Sequence, residues 1–209
     1  MSIHVGETFD AADWRGKDMS GQKFICCQLN HVLTDAETKL YGTTFISCVA
    51  HYWEAEAAIF EHFSAQFTDF RHGNFKGSMW LRSRAQQCDF TWSHFGQADI
   101  SDFDMTGSTL HFSHLEEAGA FNLKDRDQIA EFLRAHANGN IDVLMAAAYI
   151  KTAVEFCWHE WRLISQFPQN ERLAKIAYPI LKKMPGIEKI TKDIPNEGGP
   201  ACLELVEQR

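Results

Sequence analysis

An apolar residue stands at every fifth position from 45 to 115: Phe45, Ala50, Ala55, Phe60, Ala65, Phe70, Phe75, Trp80, Ala85, Phe90, Phe95, Ile100, Met105, Leu110 and Leu115. In a chain that is 45% apolar, chance would give such a run about once in 10⁵ tries, less a factor of about five for the choice of register. A period of five is neither the 3.6 of a helix nor the 2 of a strand. It requires a turn repeated at a fixed interval, which is the mark of a solenoid.

A second column lies two residues earlier and is mostly small: Thr43, Cys48, Ala58, Thr68, Gly73, Ser78, Ser83, Cys88, Ser93, Ala98, Ser108 and Ser113, with Trp53, Phe63 and Phe103 as exceptions. The residue between the columns is often polar, as at Asp69, Asn74, Asp89, His94, Asp99, Asp104 and His114. There Asp and Asn can hydrogen-bond the backbone of a tight turn. The order bulky, small, bulky, bulky at Phe60–Ala65–Phe70–Phe75 returns at Trp80–Ala85–Phe90–Phe95. Four five-residue sides therefore make a square coil, with equivalent sides stacked about 4.8 Å apart.

An earlier register, Trp14–Met19–Phe24–Leu29, starts the repeat, with Lys17 and Gln22 departing from the small column. Leu29 and Leu40 are eleven apart rather than ten, so one extra residue lies between them. It points to a bulge or short loop at Thr34, Asp35, Ala36, Glu37 and Thr38. Interruptions of a regular solenoid often carry function, although a harmless insertion explains it equally well.

These A/S/C/T-polar-L/F-x-x units resemble the pentapeptide-repeat proteins over about residues 12–118. The resemblance implies a mainly β solenoid, a right-handed quadrilateral β-helix. Residues 1–11 then read as an N-terminal lead-in or cap, and 119–209 as a C-terminal α-helical appendage with a loose tail from about 195. In that appendage, Asp125 or Asp127 can cap a helix running to about His136. A second helix, apolar on two faces, is expected over 141–167, and a third from a cap at Asn170 to about Met184. The two-faced helix is suited to lie between two neighbours, one of which can be a second subunit in a homodimer.

Composition narrows the function. Residues 12–118 hold fourteen acids and eight bases, and residues 119–209 hold twelve of each. The excess acid is on the solenoid, so no basic footprint for direct nucleic-acid binding is present. There is no apolar run of eighteen or more and no charged-then-apolar leader, so neither a membrane span nor a signal peptide is expected. Cys27, Cys48 and Cys88 fall in inward columns, which reads as buried reduced thiols in a cytoplasmic protein. The sequence has no CxxC or zinc-ligand spacing, no phosphate loop, no GxSxG and no HExxH. Hence no catalytic, cofactor or metal residues are assigned.

The expected role is a non-enzymatic protein-interaction module or scaffold. Some pentapeptide-repeat proteins resemble duplex DNA in width and charge and bind type II topoisomerases, and the resemblance makes DNA gyrase a candidate partner. The acidic surface for it would be Asp69, Asp89, Asp99, Asp102, Asp104, Glu116 and Glu117, interrupted by Arg71, Lys76, Arg82 and Arg84. Trp158 and Trp161 are candidate anchors of the helices to the solenoid or to a partner. The alternative is a bacterial effector whose helical half carries an activity that the solenoid delivers.

Overall fold

The structure is a computed structural model and describes residues 2–152 and 168–187. The chain divides into two compact units, one ending at Gln128 and the other beginning at Ile129. The first unit is a four-walled parallel coil. One wall carries a six-stranded sheet, from Ile3–Val5 through Lys23–Ile25, Thr44–Ile46, Ser64–Gln66 and Ser83–Gln86 to Phe103–Asp104. A second wall is a ladder of single bridges from Thr8 to Thr109, and a third a ladder from Asp13 to His114. The fourth holds Ile59–Glu61, Met79–Leu81, Asp99–Ile100 and Ala120–Phe121.

Each wall pairs with the wall one coil further on, as Ser64 pairs with Arg84. The coil begins at Ile3, nine residues ahead of the expected start at 12, because Ile3–Val5 already pairs in register with Lys23–Ile25. His4 stacks on Phe24 at 4.9 Å, and Phe9 meets the same ring edge-on. At the other end the coil runs on to Phe121. There Gly119 adds one residue, so that Phe121 rather than Ala120 stands opposite Ile100.

The period-five column is the interior. All fifteen residues from Phe45 to Leu115 are buried, and Phe70, Phe90 and Leu110 sit on one line at 0%, 0% and 1% exposure. Phe70 stacks on Phe90 at 5.0 Å, and Phe75 on Phe95 at 5.2 Å. The second column is buried as well, including its three large members. Trp53 and Phe63 fit because their own units carry Ala55 and Ala65, so volume moves from one inward position to the other. Trp80 lies between Phe60 and Phe103, stacked at 3.8 and 4.1 Å. The next inward positions along its chain, Ser83 and Ala85, are small. Burial pushes the Cys48 thiol up to about 11 and the Cys88 thiol to about 12, so both are inert protonated thiols.

The second residue after most interior positions turns the corner with a left-handed backbone. Glycine takes it at Gly6, Gly16, Gly21, Gly42, Gly77 and Gly107, and non-glycine residues elsewhere. Its N–H donates to a carbonyl of the next coil, as from Gly77 to Gly96 at 2.8 Å. Where the next coil is irregular or absent, a carboxylate accepts instead. Asp35 accepts from Gly16, Asp102 from Arg82, and Asp127 from Gly107.

The last coil is closed by the same device. The Met105 N–H donates to Asp125 Oδ2 at 2.6 Å, where the N–H of Phe90, three sides of the square earlier, donates to the Thr109 carbonyl. The Phe103 carbonyl accepts from Gln128 Nε2 at 2.9 Å and from Asn122 Nδ2 at 3.3 Å. Asp125 also caps α1 (Arg126–Ala135) by accepting from the N–H groups of Asp127 and Gln128. Of the two caps that the sequence allows, Asp125 is therefore the one used.

In the second unit, Asn140 caps α2 (Ile141–Thr152) by accepting from the Asp142 N–H at 3.0 Å. Val143, Ala146, Ala147 and Ile150 of α2 are buried, whereas Ile141, Met145 and Tyr149 are exposed. α3 (Pro168–Leu181) packs on α2, with Arg172 Nη2 2.6 Å from Asp142 Oδ2. α3 opens at Pro168, two residues before the expected cap at Asn170. A proline suits the first helical position, where its missing N–H has no intrahelical partner.

Phe70→Ala should lower unfolding stability by about 3–5 kcal/mol in urea titration, because the stacked interior cannot close over the cavity. Phe67→Ala, at an exposed corner, should change it by less than about 0.5 kcal/mol. Burial pushes the Asp125 carboxyl up to about 7, outweighing the N–H groups that pull it down. A folded value above the unfolded one adds stability at low pH that is lost as pH rises through about 7. Asp125→Ala should therefore destabilise at pH 5, and the gap to wild type should narrow by pH 8. A gap that widens with pH would contradict this assignment.

Candidate interaction surface

The outer side chains follow from the coil. In each unit the residue between the inward columns, and the residues at the corner, face out. The Asp or Asn of the middle position accepts the N–H two residues on, as expected for a tight turn. Asp69 does so from Arg71, Asp89 from Thr91, Asp99 from Ser101, and Asp104 from Thr106. Much of the coil's acidity is thereby engaged by its own backbone.

Asp69 and Asp89 are stacked neighbours on the second wall, as the spacing of twenty implies. Burial would raise Asp69, but Arg71 and His51 outweigh it and hold the carboxyl below its usual range. His51 Nε2 and Arg71 Nη2 each lie 2.7 Å from Asp69 Oδ2. Arg71 also reaches Asp89 at 3.8 Å. Asp99 is on the fourth wall and Asp104 on the first, with Asp102 at the corner before it. Asp104 accepts from Gln86 at 2.7 Å. Glu116 and Glu117 follow the third wall, near His114 and His94 at 3.7 and 3.8 Å. The seven acids are thus distributed around the coil, paired at Asp69–Asp89 and at Glu116–Glu117.

Thr34–Thr38 forms a tight structural step. Asp35 Oδ1 accepts from the N–H groups of Gly16, Glu37 and Thr38 and from the Thr38 hydroxyl. Thr34 lies inside the coil, where its hydroxyl accepts from the Trp53 indole at 3.1 Å. Thr38 is buried, with its hydroxyl oxygen 3.1 Å from the Trp14 carbonyl. Ala36 and Glu37 are exposed at the turn. Trp158 and Trp161 lie outside the described residues. Among the described residues, no group of three or more His, Cys, Asp or Glu side chains is placed to hold a metal ion. No described helix is long and apolar enough to cross a membrane.

One outer feature was not singled out from the sequence. The corner between the second and third walls carries His31, Tyr52, His72, Trp92 and Phe112 in five successive coils. His31 stacks on Tyr52 and Tyr52 on His72, each at 4.9 Å, and Trp92 stacks on Phe112 at 4.5 Å. Tyr52, Trp92 and Phe112 remain 45%, 51% and 47% exposed. The signal was available in the sequence: an aromatic or His residue recurs every twenty or twenty-one residues, two places after the interior column.

No family model matches the chain, and no curated protein matches it. Among solved structures it is similar to QnrB1, a plasmid-mediated fluoroquinolone resistance protein, at 18% identity over 54% of this chain and 71% of that one, with a TM-score of 0.34. It is similar to Rfr23, a pentapeptide-repeat protein from the cyanobacterium Cyanothece 51142, at 10% identity over 56% and 85% of the two chains, with a TM-score of 0.30. HetL, a pentapeptide-repeat protein involved in heterocyst differentiation regulation from the cyanobacterium Nostoc sp. strain PCC 7120, matches at 14% identity over 56% and 63%, with a TM-score of 0.24. The fold rests instead on the chain's own features: a five-residue repeat, two buried columns, a left-handed corner residue and four walls in parallel register. By these, residues 3–121 form a pentapeptide-repeat β-helix.

Proposed function

We propose that this chain is a non-enzymatic protein-binding module whose contact surface is the outside of the coil. The observation that supports this is the row of exposed rings at one corner, held on a rigid, fully packed support. A flat-walled coil offers a partner many fixed side chains at little ordering cost. Exposed aromatic residues are the groups that contribute most at protein interfaces. Co-purification of the full chain from its native cells should recover a stoichiometric protein partner that a Trp92→Gly, Phe112→Gly chain does not retain. Recovery of the same partner by both chains would remove the ring corner as the contact surface, and recovery of none would remove the binding role.

The acidic coil supports a narrower version in which the partner is a type II topoisomerase such as gyrase. Fourteen acids against eight bases over residues 12–118 favour it. The engagement of Asp69 by Arg71 and the spread of the acids over several walls shift the weight of such binding from charge mimicry to shape. A supercoiling assay decides this version. Inhibition of gyrase, or its protection from a quinolone, at micromolar protein would sustain it, and unchanged supercoiling would discard it.

A further inference from the structure

The fourth wall differs from the second and third in what its charges do. On those two walls Arg71 pairs with Asp69 at 2.7 Å and Lys76 with Glu56 at 3.9 Å, and His94 and His114 lie near Glu117 and Glu116. On the fourth wall and the corner after it, Lys39, Glu61, Arg82 and Asp99 form no ion pair with any described residue. Asp99 uses Oδ1 on its own turn, accepting from the Ser101 N–H and hydroxyl. Its Oδ2 accepts from none of the described residues. Between Lys39 and Asp99, in the same outer column, Ile59 and Met79 remain 40% and 42% exposed.

The order of that column defines what fits against it. The ladder sets Ile59 beside Met79 and Met79 beside Asp99. The Gly42 N–H donates to the Glu61 carbonyl at 2.9 Å and ties the coil of Lys39 to that of Ile59. Along the wall the column therefore runs base, apolar, apolar, acid. Turned end over end it runs acid, apolar, apolar, base. A two-fold axis along the strands, midway between the coils of Ile59 and Met79, sets Lys39 against Asp99 of a second copy and Ile59 against its Met79. In the next column Glu61 stands beside Leu81. The same rotation brings Glu61 over Leu81 of the second copy and next to its Arg82. A contact of this symmetry needs a surface complementary to itself, which this column supplies. Facing sheets stand about 10 Å apart, a gap that a Lys side chain reaching toward a carboxylate can bridge.

We propose that the fourth wall docks the fourth wall of a second copy of this chain, with the two coil axes antiparallel. Ile59 and Met79 form the centre, and a Lys39–Asp99 contact closes each end. The inference goes beyond the protein-binding reading and does not use the ring corner, which lies between the second and third walls. Four coils of about 4.8 Å and three strand residues of about 3.3 Å make a face of about 200 Å² per copy. A stable complex buries about 800 Å² per partner. The dimer is accordingly transient, with a dissociation constant in the high-micromolar range. It is salt-sensitive, because its charges lie at the rim.

The test is sedimentation equilibrium of the full chain from micromolar to millimolar concentration, at low and high salt. It should show a reversible monomer–dimer equilibrium that weakens as salt is added. Lys39→Glu and Asp99→Lys each set like charges face to face, and each alone should weaken association about tenfold or more. Mixed one to one, the two variants are complementary: the new acid of one meets the new base of the other, and the retained Asp99 meets the retained Lys39. The mixture should therefore recover the wild-type association, which a variant that had merely lost its fold could not do. Glu56→Lys, on the third wall, should leave association as it is. A chain that stays monomeric throughout would overturn the proposal. So would a dimer that neither single variant weakens, or a mixture that remains monomeric. Lys39→Glu should retain any partner recovered by co-purification, so loss of the dimer and loss of the binding module are separate outcomes.

Discussion

Everything on the coil is placed by the backbone ladder between its turns. Each coil hydrogen-bonds to the next at the strand spacing, and a full circuit takes twenty residues, or twenty-one at the steps near Asp35 and at Gly119. A side chain is thereby held directly over its counterpart one circuit away. The interior columns, the Asp69–Asp89 pair and the ring ridge are three consequences of that single constraint. The ladder also explains why the core tolerates Trp53 and Phe63 in a column of small residues. The interior is a fixed width, and volume passes between the two inward positions of a unit, as at Trp53 and Phe63, or to the neighbouring unit, as from Trp80 to Ser83 and Ala85.

A ladder of this kind has a problem wherever it is interrupted, because buried N–H and C=O groups must be paired. The chain meets it with side chains that imitate backbone. Asp35, Asp102, Asp125 and Asp127 supply carboxylate oxygens to N–H groups that would otherwise bond a carbonyl of the next coil. Asn122 and Gln128 supply amide N–H groups to the Phe103 carbonyl. The first helix begins at the same Asp125, so one carboxylate both closes the coil and caps α1. The acidity of the solenoid is accordingly in part structural. Its sign is the sign of the group needed to stand in for a carbonyl or to close a tight turn.

The same reasoning separates two kinds of outer residue. Asp99 and Asp104 bond the turn that they stand on, and Asp102 the corner below it, so their positions have an account without a partner. The rings of Tyr52 and Trp92 do not close a turn. They add nothing to the packed interior and sit on a backbone that glycine would occupy more cheaply. A residue that costs local stability and is exposed is better evidence of contact than one that closes a turn.

The coil was legible in the chain because its cause is one-dimensional. A period of five along the sequence becomes a column in space with no other information, so the interior from Phe45 to Leu115 could be named residue by residue. The extra residue near Asp35 was legible for the same reason, as a slip in that period. The extension to Ile3 and the use of Phe121 in place of Ala120 were not, because the ends deviate from the motif and are held by pairing with a neighbouring coil. Nor could the sequence say which acids are engaged. That depends on whether the N–H in reach belongs to the same turn or to the coil above. The ridge needed both levels. Its residues recur about every twenty positions, but only the three-dimensional coil puts them at one corner, exposes them and gives them a left-handed backbone, because stacking and exposure depend on what lies one circuit away.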